Sequence, residues 1–368
     1  MPPSALAQLG RQVFFDPTLS SSGQLACASC HSPEHAYSSP SGGTAPPGGR
    51  DLDRTARRSV PSLRYLAHTP RFTRHLYVEH GEDREDQGPT GGFMLDGRAD
   101  SLHAQALLPW LDPAEMANQS LGSLAQELRR AVYAPQLAQL FGRDVFDDPR
   151  QLSAAAALAL ERFEVEDPSF HPYSSRYDRF LAGEASLSAQ QQHGLALFVD
   201  PRKGNCAECH PNTRGPGARG PAFTDYAYRA LGVPRNAALT AGGAGGYYDL
   251  GLCGPERSDL AGETGYCGYF KTPTLRNSAR RTVFFHNSRF STLRQVLEFY
   301  AARDTAPERW YPRVHGRLRR FDDLPALYRA NVDRTDPPFG RAPGDEPALS
   351  SDEIDDLAAF IGTLDDAD

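Results

Sequence analysis

Two pentapeptides in the chain carry the same chemistry: Cys27-Ala28-Ser29-Cys30-His31 and Cys206-Ala207-Glu208-Cys209-His210. Two cysteines three apart share one helical turn, so each can form a thioether to a haem vinyl group, and the histidine that follows is placed beneath the iron. From the composition, about 0.003 such pentapeptides are expected by chance in a chain of this length. A zinc site built from the four thiolates would meet tetrahedral ligation, but it leaves His31 and His210 without a role. A thioredoxin-like pair needs a βαβ setting, and neither site has one. The spacing predicts two covalent c-type haems, attached through Cys27 and Cys30 and through Cys206 and Cys209, with His31 and His210 as iron ligands.

The elements around the two motifs repeat. Ala5 to Val13 carries apolar residues at helical spacing and runs into Phe14-Phe15-Asp16-Pro17, while Gln192 to Leu197 runs into Phe198-Val199-Asp200-Pro201. Each is an amphipathic helix that ends at Asp-Pro, followed by a short loop and the cysteines. The halves read as copies of one cytochrome c module. Between them, helices are expected over Leu121–Phe141 and Leu152–Val165. Ser38–Gly49 and Thr213–Gly220 read as Gly/Pro loops, the first of them exposed and mobile, Glu79–Gln87 as a solvated insertion, and Gly242–Gly246 as a turn. Ser350-Ser351-Asp352-Glu353 is a capping box that opens a last helix with Leu357, Phe360, Ile361 and Leu364 on its buried face. The expected fold is mainly α. One haem domain spans 1–167 and a second spans 168–368, each cytochrome c-like with long irregular loops, and the last helix is placed to pack back on the first domain.

A net charge of −7 over 368 residues argues against nucleic acid or an anionic bilayer as the main partner. The chain holds no run of eighteen apolar residues that could span a membrane. Haem is attached to such motifs in an oxidising compartment, where disulfides persist, so the remaining Cys253 and Cys267 are expected to be joined. The opening Met1-Pro2-Pro3-Ser4 lacks a charged n-region and an apolar h-region, and the chain is read as a periplasmic protein given without its signal peptide.

Several further segments extend the pattern: Asp96-Gly97-Arg98, Ser101-Leu102, Gln105-Ala106, Glu115-Met116 and Lys271-Thr272-Pro273-Thr274-Leu275-Arg276-Asn277. With the two haem motifs, they make the chain similar to the bacterial di-haem cytochrome c peroxidase and MauG superfamily. Cys267-Gly268, Pro307–Pro312 and Phe321–Pro325 resemble its MbnH-like, methanobactin-associated subgroup. The resemblance implies that Gln105 and Glu115 stand over the first haem, where peroxide reacts, with Pro109 shaping the pocket. A carboxylate there can carry the proton that heterolysis of the O–O bond requires, and an amide can hold peroxide by hydrogen bonds. Some relatives block this haem with a loop histidine, but no histidine lies between His35 and His68, so the first haem is expected to be open.

For the second haem the resemblance implies a distal ligand after a His-Asp-Gly motif, which reads His286-Asn287-Ser288 here. Tyr300, fourteen residues past His286, takes that place, and none of Met1, Met94 and Met116 is near it. A hard, anionic phenolate favours oxidised iron. Two departures fall between the haems. Leu95 stands where the family has a charge-relaying tryptophan, leaving Trp110 or Phe93 as stand-ins. Tyr65 stands where an asparagine binds calcium; backbone oxygens also bind calcium, which leaves that ion open, with its absence the expectation.

The implied function is a periplasmic MauG-like oxidoreductase. It uses hydrogen peroxide to form high-valent iron and oxidises an aromatic residue, tryptophan to kynurenine, of a secreted metal-binding partner. The alternatives are a peroxidase that removes hydrogen peroxide with electrons from a small redox protein, and a non-catalytic di-haem electron carrier.

Overall fold

The computed structural model describes residues 2–40, 46–80, 83–215, 217–240 and 246–367. Most of the glycine turn expected at 242–246, the middle of the Ser38–Gly49 loop, Gly81 and Glu82 of the charged stretch, and Pro216 lie outside them. Two compact units emerge: 1–71 with 98–172, and 72–97 with 173–368. The sequence pattern predicts a single boundary after residue 167, with 72–97 in the first domain. The structure divides at 172/173 and groups 72–97 with the second unit. There Lys271 N donates to Leu95 O (2.9 Å), Arg257 Nη1 to Asp96 O (2.8 Å) and Tyr228 Oη to Gly91 O (2.6 Å). These bonds join segments far apart in sequence, which local patterning does not register.

The first unit is built on α1 (Ala5–Phe14), the haem-motif turn α2 (Cys27–Cys30), α3 (Leu102–Leu111), α4 (Leu121–Arg130), α5 (Ala134–Phe141) and α6 (Pro149–Glu166). Ser4 caps α1 by accepting from Ala7 N, and Ser101 caps α3 by accepting from Ala104 N. The single helix expected over 121–141 is two. Pro135 lacks an N–H, and in a helix interior its ring would clash with the carbonyl four residues back; the chain breaks at Ala131, and Pro135 sits in the first turn of α5. The core gathers Leu9, Val13, Phe14, Trp110, Leu128, Leu160 and Phe163 around the crossing of α1 with α6.

The second unit contains α7 (Arg176–Leu181), α8 (Ala189–Val199), the second haem-motif turn α9 (Cys206–Cys209), α10 (Ala237–Thr240), α11 (Leu293–Ala302) and α12 (Ser351–Ile361). The Ser350–Glu353 capping box forms, and Leu357, Phe360, Ile361 and Leu364 are buried. Their apolar face closes on α8 and α11. The strands described form three antiparallel pairs, β1 (Tyr77–His80) with β2 (Asp83–Asp86), β3 (Tyr228–Arg229) with β4 (Phe270–Lys271), and β5 (Arg313–Val314) with β6 (Arg317–Leu318). The charged stretch expected to be a solvated insertion is thus largely the β1–β2 hairpin. Cys253 and Cys267 are joined by a disulfide.

Candidate haem sites

Both motifs sit on the short turn that follows a glycine-bearing helix. A Cβ on Gly10 would lie 1.9 Å from Ala159 O, and one on Gly194 would lie 2.0 Å from Asp356 O. Only a bare backbone allows α1 to meet α6, and α8 to meet α12, this closely. One turn on, Phe14 meets Phe163 edge-on at 5.5 Å and Phe198 meets Phe360 at 5.1 Å.

Each proximal histidine is oriented by the backbone. His31 Nδ1 lies 3.1 Å from Tyr37 O, and His210 Nδ1 lies 2.8 Å from Phe223 O. A carbonyl can only accept, so Nδ1 carries the proton and Nε2 presents a lone pair for a metal. Burial also lowers the pKa of His210, which holds its ring neutral. Burial pushes the Cys27 and Cys30 thiols up to about 12, helped by Glu164 at Cys27 and by Glu115 at both. Burial likewise raises Cys206 to about 12 and Cys209 to about 11. Neither pair is closed as a disulfide. Two thiols on one turn, beside an imidazole whose Nδ1 is held by a backbone carbonyl, fit covalent haem at both places.

The second faces differ. Glu115 lies in the turn after α3, close enough to act on both thiols of the first motif. Its turn is clamped: Glu115 N donates to Asp112 O (3.0 Å), Met116 N to Pro109 O (3.1 Å) and Gly49 N to Glu115 O (2.8 Å). Gly48 lies so close that a Cβ would meet Ala114 O at 2.0 Å. Of the loop expected to be exposed, Ser38, Ser39, Gly48 and Gly49 are buried, whereas Pro40 and Pro47 are exposed. Gln105 is on α3, four residues before Pro109, which has no N–H to bond the Gln105 carbonyl. His35 is exposed, 3.2 Å from Ser32 Oγ.

In the second unit Tyr300 lies on α11, close enough to Cys209 and Cys206 for both to raise its pKa after burial, the main cause. Burial alone holds the phenol neutral, so a phenolate here requires a cation against it. Its ring stacks on Phe339 at 5.6 Å and tilts against Phe285 at 6.0 Å. Among the described residues its hydroxyl has no hydrogen-bond partner. His286 is buried, stacked on Phe270 at 3.7 Å and 3.1 Å from Asp323 Oδ2, which also accepts from Asn287 Nδ2 (2.8 Å). Trp110 is buried in the first unit, with no described partner for its indole N–H, and Leu95 is held by Lys271 in the second. Tyr65 is buried with φ +65°.

Two residues were missed from sequence. Asp323 stands in the acidic pair Asp322-Asp323, and nothing local ties it to His286. Glu164 is buried on α6 beside the first motif, and its Oε2 has no described partner. An acid one residue past buried Phe163 in an apolar helix was the available signal.

The family described as di-haem cytochrome c peroxidase matches residues 4–186. The chain is 36% identical over 303 residues to the methylamine utilization protein MauG of Paracoccus denitrificans (strain Pd 1222), covering 80% of this chain and 74% of that protein. The crystal structure of the diheme peroxidase BthA from Burkholderia thailandensis E264 superposes with a TM-score of 0.87 at 39% identity, over 100% of this chain and 87% of that one. A MauG-like protein associated with microbial copper homeostasis shares the fold, with a TM-score of 0.67 at 23% identity, over 99% of this chain and 91% of that one.

Proposed function

Because the chain belongs to the di-haem cytochrome c peroxidase and MauG family, and is an oxidoreductase of the peroxidase kind, we propose that it spends hydrogen peroxide on an aromatic side chain, tryptophan to kynurenine, of a secreted metal-binding protein. Two covalent haems, when bound, supply the iron at which peroxide is reduced and oxidising equivalents are held. Cys27, Cys30 and His31 hold the first, and Cys206, Cys209, His210 and Tyr300 the second. The Glu115 carboxylate takes a proton from the inner peroxide oxygen and returns it to the outer one. The Gln105 amide orients peroxide without competing for that proton. The Tyr300 phenol would lose its proton as a ligand of the second haem and would close that site against peroxide. The periplasm is the compartment for this chemistry, and no described helix is long and apolar enough to cross a membrane.

One observation carries the reading: a carboxylate acts on the first motif, whereas an aromatic-packed phenol with no described hydrogen bond lies by the second. A pure electron carrier needs both sites closed by strong ligands, and a peroxidase fed by a donor protein has no need of a hard anionic ligand. The experiment incubates the holoprotein and peroxide with a secreted metal-binding protein encoded beside its gene, followed by peptide mass mapping. A modified tryptophan that requires both peroxide and the holoprotein is the expected result. Peroxide loss only when a reduced small redox protein is supplied, with every tryptophan intact, would establish the detoxifying peroxidase instead.

A further inference from the structure

Residues 309–320 carry five arginines, one histidine and no acidic residue, in a chain whose net charge is −7. Two of the arginines are neutralised: Arg309 lies 3.5 Å from Glu298 Oε2, and Arg320 pairs with Asp304. Arg313, Arg317 and Arg319 are exposed and have no carboxylate partner among the described residues. Arg313 donates to a backbone oxygen, Gly316 O, at 3.3 Å.

This charge sits on a defined surface. β5 and β6 are joined by His315 and Gly316, both at positive φ (49° and 76°), the backbone of a tight two-residue hairpin turn. Arg319 N donates to Pro312 O (2.9 Å) across the base, and buried Tyr311 anchors it through Oη to Gly232 O (2.6 Å). Val314, 37% exposed, pairs across the strands with Arg317. At the base Trp310 is partly exposed, with Nε1 donating to Ala302 O (3.1 Å) and its ring edge-on to Phe299 at 5.6 Å. Phe299 in turn lies 6.2 Å from the Tyr300 ring.

We propose that the β5–β6 hairpin and Trp310 form the docking surface for an acidic partner protein. The inference rests on the reading that a protein is the substrate, and it says where that protein binds and of what charge it is. Guanidinium forks match carboxylates in a bidentate geometry, and arginine beside an aromatic and an apolar side chain is the composition of a protein–protein contact. An anionic bilayer is served by clusters of roughly four to eight basic residues, more than the three free arginines here. A partner seated on Trp310 is separated from Tyr300 by one phenylalanine layer, so the charged patch and the second haem site share a direction.

The test uses the holoprotein and two fluorescein-labelled peptides of equal length, each with one tryptophan, in which glutamates alternate in one and lysines in the other. Vesicles of phosphatidylglycerol serve as the membrane probe. The acidic peptide should bind, and should weaken as salt is raised. The triple variant Arg313→Glu, Arg317→Glu, Arg319→Glu should lose about ten-fold or more in affinity, as close charge pairs at interfaces do. The triple glutamine variant should lose less, since it removes charge without reversing it. Retained haem content and circular dichroism show that the variants fold. Equal affinity of all three proteins for the acidic peptide would overturn the proposal, as would binding to vesicles in preference to the peptide. Wild-type turnover of a small uncharged phenol is measured alongside. Its absence counts against the peroxidase reading, whereas unchanged peptide affinity counts against the docking surface.

Discussion

In the first unit Gly10 lies against Ala159 and Phe14 against Phe163; in the second Gly194 lies against Asp356 and Phe198 against Phe360. The histidines are oriented alike, each through Nδ1 to a backbone carbonyl. The framework that positions a thiol pair and an imidazole is therefore built twice. What differs is attached to it: a carboxylate on a clamped turn in one unit, a phenol on a helix in the other. The pairing also exposes a difference inside the frame. Glu164 follows Phe163, whereas Ile361 follows Phe360, so the first unit buries an acid where the second buries a hydrocarbon. The frame around each thiol pair and imidazole is common to the two units, and the candidate sites differ in the side chains set against it.

The largest expected effect breaks the pair at its distal faces. Glu115→Gln should slow the reaction with peroxide by about 10²–10⁴-fold, the scale for losing a general acid–base group. Stopped-flow spectra at a fixed peroxide concentration measure it, and an unaltered rate would return Glu115 to a structural role in its turn.

The shared frame should fail symmetrically. Gly10→Ala and Gly194→Ala each put a methyl into a backbone carbonyl and should each cost about 1–3 kcal/mol, the range for overpacking. Denaturant midpoints that fall for one and not for the other would show that the two crossings are not equivalent.

The smallest effect concerns Glu164. Burial, with Glu161 adding, raises its carboxyl from 4.5 to about 8. The folded state then holds a proton that the unfolded chain releases, so this contribution is complete below pH 4.5 and is lost as pH rises through about 8. Within that window stability should fall by up to about 1.4 kcal/mol per pH unit. Glu164→Leu, which copies the second unit, should flatten the slope and stabilise the protein most at alkaline pH. An identical pH profile for wild type and variant would show that Glu164 is not buried as described.

The sequence was most legible where the chemistry is local. The haem pentapeptides, the Ser350 capping box and the helix over 152–165 each depend on residues within a few positions of one another. The disulfide was legible by subtraction, since four of six cysteines were already in use. The break at Ala131 was missed although Pro135 announces it. Other features were not readable because they are tertiary: residues 72–97 join the second unit through Arg257, Tyr228 and Lys271, and Asp323 reaches His286 across 37 positions. At the sites, Glu115 and Tyr300 were suggested by the family resemblance, since either residue alone reads as structural, while the clamp of Gly48 and Gly49 on the Glu115 turn is visible only in three dimensions.

The account turns on the two haem sites being finished differently, and Tyr300 tests that most directly. Electron paramagnetic resonance of the resting ferric holoprotein should show one high-spin centre and one low-spin centre with a phenolate ligand. In Tyr300→Phe, with both haems still attached, the low-spin phenolate signal should be gone and the high-spin signal of the first site retained. A spectrum identical to that of the wild type would mean that another residue ligates the second iron, and the contrast between the sites would lose its basis.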